Sequence, residues 1–108
     1  MRSRDIHYGK PTVANALDHL DLFLKEVKRS EKIVEVITGY GSTGGSCKIR
    51  NAVIKRLEEY KEKNYIKEFI CGNELDIFNK KYQDFKYRHL LTEEIKRMQN
   101  KGAIYIVL

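Results

Sequence analysis

Two short stretches of the chain carry residue types that could do chemistry. The first is Asp5-Ile6-His7, which places a carboxylate and an imidazole two positions apart. Alternate residues of a strand point to the same face, so these two side chains can meet. A carboxylate beside an imidazole fixes the tautomer of the ring and raises its basicity, which suits acid–base catalysis or, with further ligands, metal binding. The same spacing also arises by chance, so an incidental pair stays open as the alternative.

The second stretch is TGYGSTGGSCKIR, residues 38–50, a glycine-rich loop that leads from a predicted strand into a predicted helix. Glycines let the backbone approach a ligand closely, and the free N–H groups and dipole of a helix start attract anions. The glycines of the loop are Gly39, Gly41, Gly44 and Gly45. Its hydroxyl donors are Ser42, Thr43 and Ser46, and the cations that follow are Lys48 and Arg50. The stretch predicts a phosphate site, with a plain flexible connector as the alternative.

Neither of the common nucleotide-binding glycine motifs fits this loop. A P-loop needs a lysine directly after its last glycine, and none follows Gly44 or Gly45 directly. GYGSTG does spell the dinucleotide fingerprint, but it follows the second predicted strand and leaves too little chain for a full Rossmann half.

The elements that must position both stretches alternate between strand and helix. Apolar residues at spacings of three and four predict one helix from Thr12 to about Arg29 and another from Cys47 to about Lys63. The predicted strands are 3–8, 32–38, 65–71 and 103–108. Two β-to-α-to-β steps imply parallel strands joined by right-handed crossovers, and therefore a small α/β layer fold.

The size and composition of the chain indicate one compact domain, residues 1–108. A net charge of +6 favours a polyanionic partner such as nucleic acid. No apolar run approaches the roughly 20 residues of a membrane span, and MRSRDIH lacks the apolar segment of a secretion signal, so no membrane partner is expected. Cys47 and Cys71 have no metal-type spacing, and we expect free thiols in a reducing cytoplasm.

Residues 73–101 do not follow the alternating pattern and are predicted to form an insertion before the last strand. The insertion interleaves aromatic residues with cations, and a short helix is expected after Thr92. Its aromatic residues Tyr82, Phe85 and Tyr87 could stack on unpaired bases while Lys80, Lys81, Lys86 and Arg88 meet phosphates. The alternative is that the rings pack into the core and the cations stay in solvent. A docking edge for a protein partner is a third option that no residue specifically supports.

Three segments taken in order carry a family resemblance. DIHYGKPTVANAL, VEVITGYGSTGGSCKIRNAVIKRL and the terminal GAIYIVL together resemble the Smr (small MutS-related) domain, over nearly the whole chain except 73–101. That family is marked by an Asp-Leu-His-Gly motif before the first helix, a Gly-x-Gly loop opening the second, and a closing Gly-Ala-Tyr-Val-Leu-like strand.

The resemblance implies a fold and a chemistry. The fold is a two-layer β-α-β-α-β-β sandwich with a four-stranded sheet, similar to the C-terminal domain of translation initiation factor 3. Family members are nicking endonucleases on DNA, and some act on or bind RNA. The positions carried over by the motifs are Asp5 and His7 on the first strand, Thr38, Gly39 and Gly41 in the loop, and Arg50 after it. The chain departs from the family at Ser42-Thr43, where many members have His-Ser, which removes a second imidazole.

The leading hypothesis is therefore phosphodiester hydrolysis of DNA or RNA. The loop amides and Arg50 hold the phosphate, while His7, oriented by Asp5, activates a water or protonates the leaving oxygen. No cofactor is required, although a divalent cation can assist. The alternative is a binding module without turnover, which uses the same loop and the basic insertion.

Overall fold

The computed structural model describes residues 1–9, 11–39 and 47–108. Its strands are β1 Arg2–Asp5, β2 Ile33–Ile37, β3 Glu68–Cys71 and β4 Ala103–Val107. Its helices are α1 Val13–Val27, α2 Cys47–Glu62, α3 Lys80–Gln83 and α4 Glu93–Met98, with 3₁₀ turns at Gly72–Glu74 and Arg88–Leu90. The predicted α/β class and the element order around a four-stranded sheet are confirmed.

The four strands form one mixed sheet in the order β1-β2-β4-β3. β1 and β2 run parallel, with Asp5 opposite Ile37, and β4 is antiparallel to both of its neighbours. The second β-to-α-to-β step joins strands that run in the same direction but are separated by β4. One edge of the sheet thus collects the carboxyl ends of β1, β2 and β3 and the start of β4. We call it the carboxyl edge, defined by Asp5, Ile37, Cys71 and Ala103.

The two long helices cover one face of the sheet because each presents a continuous apolar stripe. The stripe of α1 is buried, and the side chain of Thr12 caps this helix by accepting the backbone N–H of Asn15 at 3.1 Å. The core on this face is formed by Leu20, Phe23, Leu24, Val53 and Leu57 from the helices and by Val34, Val36, Ile104 and Ile106 from the sheet.

Residues 73–101 cover the opposite face of the sheet. Their buried residues Leu75, Tyr82, Phe85, Leu91 and Ile95 join Ile70, Ala103, Tyr105 and Val107 in a second apolar cluster. Tyr82 is 8% and Phe85 is 4% exposed, so the predicted stacking of these two rings on bases is wrong, and the core alternative holds for them. Tyr87 is half-buried against the same cluster, with its ring centroid 6.0 Å from that of Phe85. Burial of the apolar area of these rings against the second face of the sheet stabilises the fold, which accounts for their buried position.

All four strands are shorter than predicted; β2 differs by one residue at each end and β4 by one residue at its carboxyl end, and local hydrogen bonds explain the larger differences in β1 and β3. The prediction extends β1 to residue 8, but the strand ends at Asp5 because the carboxylate of Asp5 accepts the backbone N–H of His7 at 2.8 Å and turns the chain. The prediction starts β3 at residue 65. The N–H groups of Tyr65 and Ile66 instead donate to the carbonyl of Tyr60, so these residues finish the turn after α2.

Candidate functional site at the carboxyl edge

The imidazole of His7 lies directly against the backbone of Gly39. A Cβ atom built on Gly39 would stand 3.2 Å from three atoms of the ring, and Gly39 has a φ of +73°. A side chain at this position would therefore be strained and would also press on the imidazole. The hypothesis that His7 and the glycine loop act on one phosphate requires the two to be close, and the structure brings His7, which lies just beyond the end of β1, against Gly39 at the start of that loop.

A second glycine supports that contact from behind. A Cβ on Gly102 would lie 3.3 Å from the Cα and carbonyl carbon of Gly39, so the two backbones pack against each other. Gly102 also accepts the backbone N–H of Thr38 at 2.7 Å. The imidazole of His7 thus packs on Gly39, and Gly39 packs on Gly102, at the carboxyl edge.

Thr38 anchors the start of the loop. Its side chain is fully buried, and its hydroxyl lies 3.1 Å from the carbonyl oxygen of Gly39 and 3.2 Å from that of Gly102, to either of which it can donate. The sequence predicts Thr38 as a phosphate contact, and in this structure its hydroxyl points inward to the backbone. Its role here is to position Gly39.

Asp5 holds the turn that carries His7. Its Oδ1 accepts the backbone N–H of His7, and within the described residues no carboxylate hydrogen-bonds to the imidazole itself. The hypothesis that Asp5 fixes the tautomer of the ring is thus not realised in this arrangement. Asp5 instead positions His7 through its main chain.

Arg50 approaches the same edge from the first turn of α2. Arg50 is half-buried, and its Nη2 donates to the side-chain oxygen of Asn73 at 3.1 Å. Asn73 follows β3, so this bond ties the start of α2 to the carboxyl edge. Lys48, also in the first turn, is exposed. Sequence reasoning missed Asn73 because nothing in its local pattern indicates a partner 23 positions away.

Several predicted contacts lie outside the described residues. These are Gly41, Ser42, Thr43, Gly44, Gly45 and Ser46. Described residues bracket this segment on both sides, with Gly39 before it and the exposed Cys47 after it.

The cations of the insertion are exposed, as both interpretations of that segment require. Lys80 and Arg88 are solvent-accessible. Lys81 lies on the outer side of β3, with its ammonium 3.7 Å from a carboxylate oxygen of Glu74 and 5.4 Å from the centroid of the Phe69 ring. Their predicted phosphate contacts therefore remain predictions, and the structure does not bring these cations into contact with His7.

The two thiols differ in environment, which gives a direct solution test. Cys47 is exposed at the first position of α2, whereas Cys71 is buried, and burial together with the nearby Glu74 carboxylate raises the pKa of its thiol to about 11. The thiolate is the reactive form, so Cys71 is doubly protected near neutral pH. We expect a colorimetric disulfide reagent to modify one thiol quickly in the folded protein and both in denaturant. Two fast thiols in the folded protein would contradict the burial of Cys71.

A separate concavity of about 580 Å³ lies at the far end of the helices, between the last turns of α1 and α2. It is lined by three lysines, but the ammonium of Lys28 lies over the ring of Tyr65 at 3.6 Å. The hydroxyl of Tyr60 donates to Asp21 at 2.6 Å. Cations at helix C-termini offset the negative ends of the helix dipoles, which accounts for these lysines without a ligand. We therefore place the candidate site at the carboxyl edge.

Two features bear on partners and metals. Across the part of the chain that the structure describes, no helix is long and apolar enough to cross a bilayer. Within residues 1–9, 11–39 and 47–108, no three His, Cys, Asp or Glu side chains come together as metal ligands could.

Comparisons of the chain with protein-family models, with curated proteins and with solved structures give no match. The resemblance to the Smr family therefore stays a prediction that rests on the three segments of the sequence.

Proposed function

We propose that this chain is an Smr-like nucleic-acid-binding domain that hydrolyses phosphodiester bonds at its carboxyl edge. The observation that carries the proposal is the contact between the imidazole of His7 and the backbone of Gly39. It puts a group that can transfer protons at neutral pH beside the start of a glycine-rich loop. The net charge of +6 favours a polyanionic substrate.

The binding half of the mechanism uses the start of α2. The first N–H groups of a helix have no partner within the helix, and the dipole adds roughly half a positive charge there. Arg50, held by Asn73, adds a guanidinium in the first turn, and Lys48 adds an ammonium. These groups can hold a phosphodiester and stabilise the charge that develops on its oxygens during attack.

The chemical half of the mechanism uses His7. In its neutral form the imidazole takes a proton from a water as the water oxygen bonds to phosphorus. The bond from phosphorus to the leaving oxygen then breaks, and that oxygen is protonated by the imidazolium or by solvent. Asp5 contributes by fixing the turn that holds the ring against Gly39. The proposal requires no cofactor, and a divalent cation can assist the phosphate contacts.

The test is a cleavage assay with purified protein on supercoiled plasmid and on structured RNA, with added Mg²⁺ or Mn²⁺ and with chelator. We expect nicked circular plasmid or discrete RNA fragments to accumulate with time in at least one condition. Binding without product in every condition would refute hydrolysis and leave the binding module. Absence of binding at about 50 mM salt would overturn both, because phosphate contacts strengthen as salt falls.

A binding module without turnover is the second candidate, and one observation favours it. The carboxylate of Asp5 accepts the backbone N–H of His7, so among the described residues no carboxylate orients the imidazole as the acid–base hypothesis expects. Such a domain would hold a backbone phosphate at α2 and gain affinity from Lys80, Lys81 and Arg88.

The contribution of the insertion is measured by salt dependence. If Lys80 and Lys81 bind phosphates, replacing both by glutamine lowers the slope of log affinity against log salt by about 0.7–0.9 for each phosphate that is no longer neutralised. Lys32→Gln with Lys67→Gln is the matched control, because these exposed lysines lie at the opposite edge of the sheet. Equal slopes for the two double variants would mean that Lys80 and Lys81 are solvated surface residues that contact no phosphate.

A further inference from the structure

Tyr8 stands at the rim of the candidate site with its side chain in solvent. It is 87% exposed and directly follows His7. The turn that carries it is attached to the fold on the preceding side. Ile6 is 1% exposed and its N–H donates to the carbonyl of Ile37 at 3.0 Å, and the N–H of His7 donates to Asp5. The residues directly before Tyr8 are therefore held to the sheet by hydrogen bonds and by the buried side chain of Ile6.

The position of Tyr8 suits contact with a base. Neighbouring Cα atoms are about 3.8 Å apart, so the side chain of Tyr8 can reach the nucleotide next to a phosphodiester that is attacked at His7. An exposed aromatic ring offers a flat apolar face on which any base can stack. Bases inside a duplex are already stacked and paired, so only an unpaired nucleotide can use such a platform.

The other exposed aromatic residues that the structure describes do not offer the same opportunity. Phe78 is 85% exposed, but it lies in the insertion, between β3 and α3. At the far end of the helices, the ring of Tyr65 is covered by the ammonium of Lys28. Among the described residues, Tyr8 thus has a solvent-exposed aromatic ring and directly follows His7.

We propose that Tyr8 stacks on an unpaired base beside the phosphodiester that the start of α2 holds and that is attacked next to His7, so that the substrate is single-stranded or locally unpaired nucleic acid. The inference rests on the proposed function for the location of the phosphate, and it adds the substrate class. Duplex of the same sequence is then bound less tightly, because it must first expose a base. Tyr8 sets this preference by contact with substrate and takes no part in proton transfer.

The experiment uses the absence of tryptophan from the chain. Tyr8→Trp introduces a single fluorophore, and Phe78→Trp provides a matched fluorophore at a similarly exposed position. Each variant is titrated with a single-stranded oligonucleotide and with its duplex, as DNA and as RNA. Stacking on a base quenches indole emission, so we expect saturable quenching of the Tyr8→Trp variant by single strands, weaker quenching by duplex, and none for the Phe78→Trp variant.

Affinity provides the second readout. Tyr8→Ala is expected to weaken single-strand binding roughly 5- to 150-fold, while Phe78→Ala leaves it unchanged. Both side chains are exposed, so unchanged far-ultraviolet circular dichroism should accompany both variants.

The outcomes separate this proposal from the proposed function. Quenching at Tyr8→Trp without any cleavage by the wild-type protein supports stacking and refutes hydrolysis. Cleavage with equal binding by Tyr8→Ala and wild type overturns stacking and leaves hydrolysis intact. Equal affinity for single strand and duplex also overturns the substrate preference, and absence of all binding overturns both proposals.

Discussion

Replacing His7 by alanine is expected to slow phosphodiester cleavage about 100- to 10,000-fold, the usual contribution of a positioned acid–base group. Binding of the same substrate should change little, because the phosphate contacts come from α2 and not from the imidazole. The measurement is a single-turnover time course with enzyme in excess, so that the rate constant reports the chemical step. Affinity is measured in parallel on the same substrate.

The control for His7→Ala is the same substitution at His89, which is exposed in the insertion. His89→Ala should cleave at the wild-type rate. Both variants should unfold within about 1 kcal/mol of wild type, because neither imidazole is part of the buried core. A cleavage rate for His7→Ala equal to that of His89→Ala would remove His7 from the chemistry.

Gly72→Ala is expected to be among the most destabilising single-methyl additions in the described chain. A Cβ at Gly72 would lie 1.8 Å from the carbonyl oxygen of Asn100 and 2.7 Å from its carbonyl carbon. These are backbone atoms, and the same oxygen accepts the N–H of Ala103 at the start of β4. Relief of the clash must therefore move the backbone, at a cost of roughly 1–3 kcal/mol or more.

Thermal unfolding measures this effect. For a domain of about this size, the expected loss lowers Tm by roughly 5–20 °C. Gly102→Ala offers a graded comparison, because its closest approach, to the backbone of Gly39, is 3.3 Å. Its stability should fall less than that of Gly72→Ala. A Gly72→Ala protein as stable as wild type would mean that the segments around Gly72 and Asn100 are not so closely packed.

The elements with strong local patterns were predictable from the sequence. The apolar stripe behind Thr12 predicted α1, and the β-branched run before Thr38 predicted β2. Both depend on periodicity over neighbouring residues, which a single sequence displays directly. The element ends were less predictable, because β1 ends through a hydrogen bond from a side chain to its own backbone.

Contacts between distant segments were harder to predict. The approach of His7 to the glycine loop followed from the parallel order of β1 and β2, which places their carboxyl ends together. The bond between Arg50 and Asn73 and the packing of Gly102 on Gly39 join segments that share no local pattern.

The insertion was also hard to interpret from the sequence, since alternating aromatic residues and cations fit both a nucleic-acid surface and a covering layer on a sheet. Only the position of Tyr82 and Phe85 on the second face of the sheet decides between them.

The central claim is that a phosphodiester binds between His7 and the start of α2. Nuclear magnetic resonance of isotope-labelled protein, titrated with a short non-cleavable single-stranded oligonucleotide analogue, tests it most directly. The claim predicts that the largest chemical-shift changes fall on the ring of His7 and on the amides of Gly39 and Cys47. Unchanged resonances at these three residues, with shifts concentrated at Lys28 and Tyr65 at the far end of the helices, would contradict it.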